Sequence, residues 1–488
     1  MQGDIKGQTL AGFKWNAIGQ FSTYAVNFVL GIIIARLLTP DDYGVIGMLA
    51  IFMAIAQLFV NSGFSNALIR KVDRTEVDCS TAFYFNIAVA ILFYGVLFFT
   101  APLIASFYNL PILTQVIRVL SLTLIINSLG IVPRALRSVV VDFKTQAYAS
   151  VTAAVVSGLV GLYLAYSGYG VWALVWQYLV SSSVSVAVIW IMARWMPRWV
   201  YSWSSFKSMF SYGSKLMISG LLHTVYQHAS SLIIGKFYTP AELGNYDRGN
   251  SIASLPSLRL SDVFHSVTFP VLAKLQNDDA RLIHVYHKYV AMTSMVIFFM
   301  MTLLAVVAKP LVLLLLTENW IGAVPFLQVF CFAYMFDSIC RLNNNMLFVK
   351  GWSNLFLKLE IIKKAIVTPF FLLAIPYGPL AICFVAVVHT IVDITCSICC
   401  LRKYLGIEIR QYAILIKYIL LTLFACVPAF IACSLDLSPW VSLPISIVSA
   451  LALYVGILHK DDNMKECLQM LFKVFRVNSE GDNNHTGL

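Results

Sequence analysis

Charge is scarce in this chain. Of its 488 residues, 12% are Asp, Glu, Lys or Arg and 59% are hydrophobic, whereas a water-soluble domain carries about twice that charged share. An ordinary soluble globule is therefore excluded. Long polar stretches are missing as well: from Trp15 to His459, apolar runs near the ~20 residues that cross a hydrocarbon core follow one another with short breaks. The chain reads as a membrane protein with no room for a sizeable soluble domain. It has no Walker-type Gly-x-x-x-x-Gly-Lys loop and no His-Glu-x-x-His, so ATP-driven pumping and zinc proteolysis lack the residues they need. No cofactor and no metal are expected. Cys396, Cys399 and Cys400 share one apolar run whose neighbours offer no further ligands, which reads as small apolar filler at helix contacts. Lys6 and Lys14 precede a run from Trp15 to Leu38 that lacks a cleavage-site pattern, so the first span is expected to be retained.

The charge that is present is basic, with a formal net of +11. Its placement argues against nucleic acid. Cations gather in alternate breaks: Arg70, Lys71 and Arg74; Arg134, Arg137 and Lys144; Arg194, Arg198 and Lys207; Lys274, Arg281 and Lys288. The series continues with Arg402, Lys403 and Arg410, then Lys460, Lys465, Lys473 and Arg476. The breaks between them are nearly bare of cations. This is the positive-inside pattern, and it puts both termini in the cytoplasm.

The spacing of apolar runs predicts an all-α polytopic protein of about fourteen spans, near 15–38, 44–64, 80–101, 114–136, 148–167, 170–193, 212–235, 250–272, 288–308, 322–346, 355–375, 378–400, 412–433 and 440–459. One segment occurs twice. Ile34-Ala35-Arg36-Leu37-Leu38-Thr39-Pro40-Asp41-Asp42-Tyr43-Gly44 returns, 200 residues later, as Ile234-Gly235-Lys236-Phe237-Tyr238-Thr239-Pro240-Ala241-Glu242-Leu243-Gly244. The duplication predicts two parallel six-helix repeats, 1–205 and 206–405, then an added helix pair, 406–460, and a polar cytoplasmic tail, 461–488. In each turn the cation is followed six residues later by an acid, so Arg36 with Asp42 and Lys236 with Glu242 are expected to make a cation–acid contact and are candidate gating residues.

Beyond the first copy of the turn, Asn61-Ser62-Gly63-Phe64-Ser65-Asn66-Ala67, Ala101-Pro102-Leu103-Ile104-Ala105-Ser106-Phe107-Tyr108, Ser167-Gly168-Tyr169-Gly170-Val171-Trp172 and Gly244-Asn245-Tyr246-Asp247-Arg248 carry a resemblance. The chain resembles bacterial polysaccharide exporters and Wzx-type flippases of the multidrug/oligosaccharidyl-lipid/polysaccharide superfamily. That resemblance implies a V-shaped bundle in the inner membrane that moves undecaprenyl-pyrophosphate-linked oligosaccharides from the cytoplasmic to the periplasmic leaflet. The implied partners are the lipid-linked oligosaccharide, membrane lipids, a coupling ion (proton or sodium) and other polysaccharide-assembly proteins. The competing readings are a multidrug and toxin extruder of the same superfamily and a membrane polysaccharide polymerase or ligase. An extruder of cationic drugs favours intramembrane carboxylates, and a polymerase or ligase needs a large outward loop.

A pyrophosphate crossing hydrocarbon needs a wet, cationic cleft. Candidate cations are Lys215, Arg118, Arg259, Arg341, Lys363 and Lys364. For Lys215, Arg118 and Arg341, near span ends, the competing reading is snorkelling to head groups. For Arg259 it is an internal pair with Asp262, three residues on. Sugar recognition needs amides: Asn16, Gln20 and Asn27 share one helical face, and Gln57 and Asn61 another, with interhelical hydrogen bonding as the alternative. Trp172, Trp176 and Tyr178 offer stacking faces or interface anchors. His389 with Asp393, Asp337, and His223 with His228 are candidate proton-coupling groups, or internal hydrogen-bonded structure.

The topology is directly testable. Cysteines placed at Asp41 and Ala241 are expected to react with an impermeant thiol reagent from the periplasmic side; labelling of only one breaks the proposed symmetry.

Overall fold

The computed structural model describes residues 2–464 except 62, 72, 436, 460 and 462; the side chains of residues 2–14, 215, 216, 219, 263, 266, 267, 409 and 411 are not described. The expected tail from 461 lies almost wholly outside the described residues.

The described chain is helical. The helices are α1 (Gln2–Leu37), α2 (Pro40–Asn61), α3 (Phe64–Arg70), α4 (Glu76–Tyr108), α5 (Ile112–Leu120), α6 (Leu122–Val139), α7 (Phe143–Tyr166), α8 (Val171–Ala193) and α9 (Trp203–Phe237). They continue as α10 (Pro240–Lys274), α11 (Asp279–Val306), α12 (Ala308–Leu315), α13 (Ala323–Val349), α14 (Ser353–Ala374), α15 (Pro379–Leu405), α16 (Ala413–Ala425), α17 (Val427–Ser434) and α18 (Pro439–Leu458). Among the described residues, eleven helical stretches are long and apolar enough to cross a membrane. The three expected spans outside that set coincide with α9, α10 and α14, which are long but polar. α9 carries Lys215, His223, Gln227 and His228; α10 carries Asp247, Arg248, Arg259, Asp262 and His265; α14 carries Lys358, Glu360, Lys363 and Lys364.

Helix ends follow local chemistry. Thr75 begins α4 with a capping box in which its side chain takes the Asp78 N–H while Asp78 takes the Thr75 N–H. The duplicated turns use the same device. Asp42 Oδ2 accepts from the Thr39 N–H (3.0 Å) and hydroxyl (2.9 Å), and Glu242 Oε2 accepts from the Thr239 N–H (2.9 Å) and hydroxyl (3.0 Å). This corrects the expected cation–acid contacts. Among the described residues neither acid pairs with its cation: the carboxylate three residues past the threonine reaches orphan donors at a helix N-terminus, where negative charge is also favoured. Lys236 instead gives its Nζ proton to the Phe107 carbonyl (2.5 Å) and lies 4.3 Å from the centre of the Phe107 ring.

The chain forms two compact units, Met1–Gly244 and Asn245–Leu488, and the division falls inside α10. In the first unit α9 packs along α2 and the turn into α3 at glycines: a Cβ on Gly220 would lie 2.9 Å from Leu58 Cδ1, and one on Gly63, whose φ is +69°, would lie 2.6 Å from Gly213 Cα. Phe64, Leu68, Cys79, Phe83, Val132 and Met209 form a buried cluster beside this seam. In the second unit α18 docks on α11, with the Tyr454 hydroxyl donating to the Met295 carbonyl (2.6 Å) and its ring stacked on Phe299.

Between α6 and α7, Asp142 caps α7 by accepting from the Thr145 N–H (3.1 Å) and hydroxyl (2.7 Å), and it pairs with Arg137 (3.0 Å). Burial pushes its carboxyl up, but the Thr145 bonds and Arg137 outweigh that and hold it below the usual aspartate range. A depressed folded value contributes stability above the unfolded value, about 4, and loses it as pH falls through the lower folded one. Asp142→Asn is therefore expected to lower the thermal midpoint in detergent at pH 7 and to close the gap to wild type at the acid end; a gap that does not narrow on acidification would refute the assignment.

Candidate functional site

Charges collect in the second unit on α10, α13, α14 and α15. Arg259, on α10, meets Asp262 one turn along the same helix (3.5 Å), and Asp262 also faces Arg341 on α13 (3.9 Å). Arg341 is held more tightly by Asp337, one turn earlier on α13 (Nε–Oδ2 2.7 Å). Alternating charges thus run from α10 to α13. The two arginine side chains remain 45% and 42% exposed, so their guanidinium groups are presented rather than enclosed.

The second set is enclosed. Lys363 on α14 is 1% exposed, and its ammonium lies 3.0 Å from Glu360 Oε1 on the same helix and 2.5 Å from Asp393 Oδ1 on α15. An unpaired ammonium buried this far costs several kcal/mol, and two carboxylates remove that penalty. His389 stands one turn before Asp393 on α15. Ser397, one turn beyond, accepts from Asn343 Nδ2 (2.7 Å). Asn343 in turn takes a hydrogen bond from the Tyr286 hydroxyl, which also pairs with the Tyr412 hydroxyl (2.8 Å). A buried polar network therefore ties together α11, α13, α15 and the turn Ile409–Tyr412.

The expected site residues divide accordingly. Arg259, Arg341 and Asp337 come together, and Lys363 joins Asp393. Lys364 is half-buried beside Lys363, about 100° around the helix. The side chain of Lys215 lies outside the described residues. Arg118 Nε donates to the Phe98 carbonyl (3.3 Å) and lies over the Phe98 ring, fastening α5 to α4. In the first unit Gln20 donates to Asn16 (3.0 Å), and both line a pocket of about 260 Å³ with Thr23, Gln146 and Ser150. Asn27 is exposed outside that lining. Gln57 donates to Asn61 (3.2 Å) and accepts from Asn127 (3.4 Å). Arg36 is exposed, and His223 is exposed on α9. Sequence reasoning missed Tyr286, Asn343, Ser397 and Tyr412. One signal was available: His389, Asp393 and Ser397 repeat every four residues, a polar stripe along an otherwise apolar helix.

Many apolar helices, three polar ones and a paired charge cluster inside them define a polytopic membrane protein of transporter type. Comparison with known proteins agrees. Residues 33–325, well over half the chain, match the family model described as polysaccharide biosynthesis protein, and the chain belongs to that family. It is 24% identical to the teichuronic acid biosynthesis protein TuaB of Bacillus subtilis over 72% of this chain and 73% of that one. It is 23% identical to the lipopolysaccharide biosynthesis protein WzxC of Escherichia coli over 84% of each. Its fold is that of the lipid II flippase MurJ in an inward closed conformation, with a TM-score of 0.73 at 12% identity over 91% of this chain and 98% of that one.

The Lys363–Asp393 pair makes a sharp prediction. Lys363→Met strands a buried carboxylate and is expected to cut membrane abundance several-fold; adding Asp393→Asn is expected to restore much of it, because removing both charges avoids the penalty. Equal abundance in the single and double variants would show that the two do not act as a pair.

Proposed function

We propose that this protein carries an undecaprenyl-pyrophosphate-linked oligosaccharide from the cytoplasmic to the periplasmic leaflet of the bacterial inner membrane, opening to each side in turn, as a step in surface-polysaccharide assembly. Both termini are cytoplasmic in this reading. The observation that carries it is the Arg259–Asp262–Arg341–Asp337 chain, which runs from the polar helix α10 to the apolar helix α13. Each arginine is neutralised by a neighbouring carboxylate, yet each is exposed enough to exchange that carboxylate for a phosphate oxygen. Arginine suits that exchange because its planar fork grips phosphate with two parallel hydrogen bonds.

Lys363 takes a different part. Buried between Glu360 and Asp393, it organises α14 against α15 rather than meeting the substrate. Two carboxylates on one ammonium leave negative charge for a proton to balance, which supports a coupling role for Asp393 and His389. The amides of Asn16, Gln20, Gln57 and Asn61 are available to sugar hydroxyls. The reading requires no covalent step, so the protein is not an enzyme. A drug extruder would present carboxylates to a cationic substrate, whereas Asp262, Asp337, Glu360 and Asp393 each lie against a lysine or arginine.

Complementation tests this. Expressed in a strain lacking its own flippase, the protein is expected to restore surface polysaccharide and relieve accumulation of the lipid-linked precursor in the cytoplasmic leaflet. Arg259→Gln and Arg341→Gln are each expected to cut that activity by about tenfold or more, the scale of one charge-assisted contact, at unchanged membrane abundance. Full transport by a well-expressed Arg259→Gln, Arg341→Gln double variant would remove these arginines from the path.

A further inference from the structure

The end of α3 and the start of α9 enclose a groove of about 390 Å³ that the transport reading does not use. Buried Met209 lies on its apolar side, while Arg70, Lys71, Asp73, Ser208 and Tyr212 supply the polar lining. Lys71 is already neutralised, because its ammonium lies 2.8 Å from Oδ2 of Asp78, a carboxylate only 1% exposed. Arg70 is exposed and lies with its guanidinium over the Tyr212 ring, 4.8 Å from the centre, a contact that gives its N–H donors no oxygen acceptor. Asp73 follows three residues later, exposed in the same lining. Among the described residues no ion pair takes up Arg70 or Asp73, not even one between the two, and the neighbouring Arg74 turns its Nε to the Lys71 carbonyl (3.1 Å). The groove therefore presents one cation and one anion held apart, with the exposed Ser208 hydroxyl on the facing helix.

Such a lining has little net charge with which to draw a simple anion. It matches a molecule that carries both signs close together. Depth indicates where that molecule comes from. Along the first two turns of α9, Trp203 stacks on Phe206 (4.8 Å between ring centres) and Phe206 on Phe210 (5.3 Å), with Trp203 and Phe210 exposed. An exposed aromatic row of this kind sits at the level of lipid head groups, and Ser208 lies within it. Arg70, Lys71 and Arg74 are also the first cluster of cations along the chain, on the side the charge pattern assigns to the cytoplasm.

We propose that this groove binds the head group of a zwitterionic phospholipid of the cytoplasmic leaflet, with the phosphodiester on Arg70 and the Ser208 hydroxyl and a primary ammonium on Asp73. That is the chemistry of phosphatidylethanolamine. Arginine can fork onto phosphate oxygens, and a primary ammonium offers Asp73 hydrogen bonds as well as charge, which a quaternary ammonium cannot. The bound lipid bridges α3 and α9 beside the close approach of Gly63 to Gly213. The inference goes beyond the transport reading: it requires the cytoplasmic placement of these segments and no transported substrate.

Native mass spectrometry tests it on the full chain, stripped of lipid in mild detergent and titrated with dioleoyl phosphatidylethanolamine, phosphatidylcholine or phosphatidylglycerol. The wild type is expected to retain the ethanolamine lipid about fivefold or more over each of the others. Asp73→Asn is expected to bring ethanolamine retention down to the choline level. Arg70→Gln is expected to lower retention of all three by about tenfold, the scale of one charge-assisted contact to the phosphodiester they share. Equal retention of the three lipids by the wild type, or an undiminished ethanolamine preference in Asp73→Asn, overturns the proposal. If either charge variant fails to fold, Ser208→Cys decides: a bulky maleimide at that position is expected to abolish the retention that the unlabelled variant shows, scored against the parent treated alike, and retention indifferent to the label overturns the site. Displacement by an equal concentration of soluble glycerophosphoethanolamine overturns the assignment to a lipid. No arm uses the transported glycan, so a failure to complement a flippase-deficient strain counts against the proposed function alone.

Discussion

A charge inside hydrocarbon must be paired, hydrated or neutralised, and the second unit is arranged around that requirement. Lys363 sits at 1% exposure because Glu360 and Asp393 reach it from two directions. Arg341 is tolerated because Asp337 lies one turn away and Asp262 approaches from the neighbouring helix. In each set one pair also links two helices: Lys363–Asp393 joins α14 to α15, and Arg341–Asp262 joins α13 to α10. Neutralising the charges and positioning the helices are thus one operation. The Tyr286–Asn343–Ser397 bonds extend it, because in the same low-dielectric interior an amide or hydroxyl left without a partner is costly too.

The first unit is held together differently. Its seam against α9 relies on glycines that let other atoms come close: the Gly213 backbone at Gly63, just past α2, and the Leu58 side chain at Gly220. In a bilayer, where apolar side chains gain little by leaving lipid for protein, small residues allow the dispersion contacts that hold helices together. The duplicated turn joins both styles. Its threonine and acid cap a helix locally, and its glycine lets that helix lie against its counterpart.

Much of the fold was legible in the sequence because membrane helices declare themselves by length and apolarity. The α9, α10 and α14 segments were legible as anomalies: Arg259 with Asp262, and Lys358 through Lys364, are too polar for lipid contact. The capping role of Asp42 and Glu242 was written in Thr-Pro-x-acid, but the six-residue spacing to Arg36 and Lys236 suggested an ion pair instead. The helix N-terminus won because its unpaired N–H groups are three residues away and fixed in place, whereas a flexible cation at an exposed end gains little from pairing. For the candidate site, the sequence could nominate Lys363 and Lys364 together yet could not say which is buried, since adjacent residues point about 100° apart and the orientation of α14 is set by its neighbours.

By itself, then, the sequence determined a helical, bilayer-spanning chain with a duplicated turn segment, an excess of basic residues and a short roster of charges on its helices, because composition, run length and repetition are local properties. Which acid neutralises which base, which amides meet, and that Gly44 lies on Pro240 were decided only by tertiary packing. Those contacts join residues as far apart in sequence as Gly44 and Pro240, and nothing local encodes the rotation of one helix about its axis or its distance from the next.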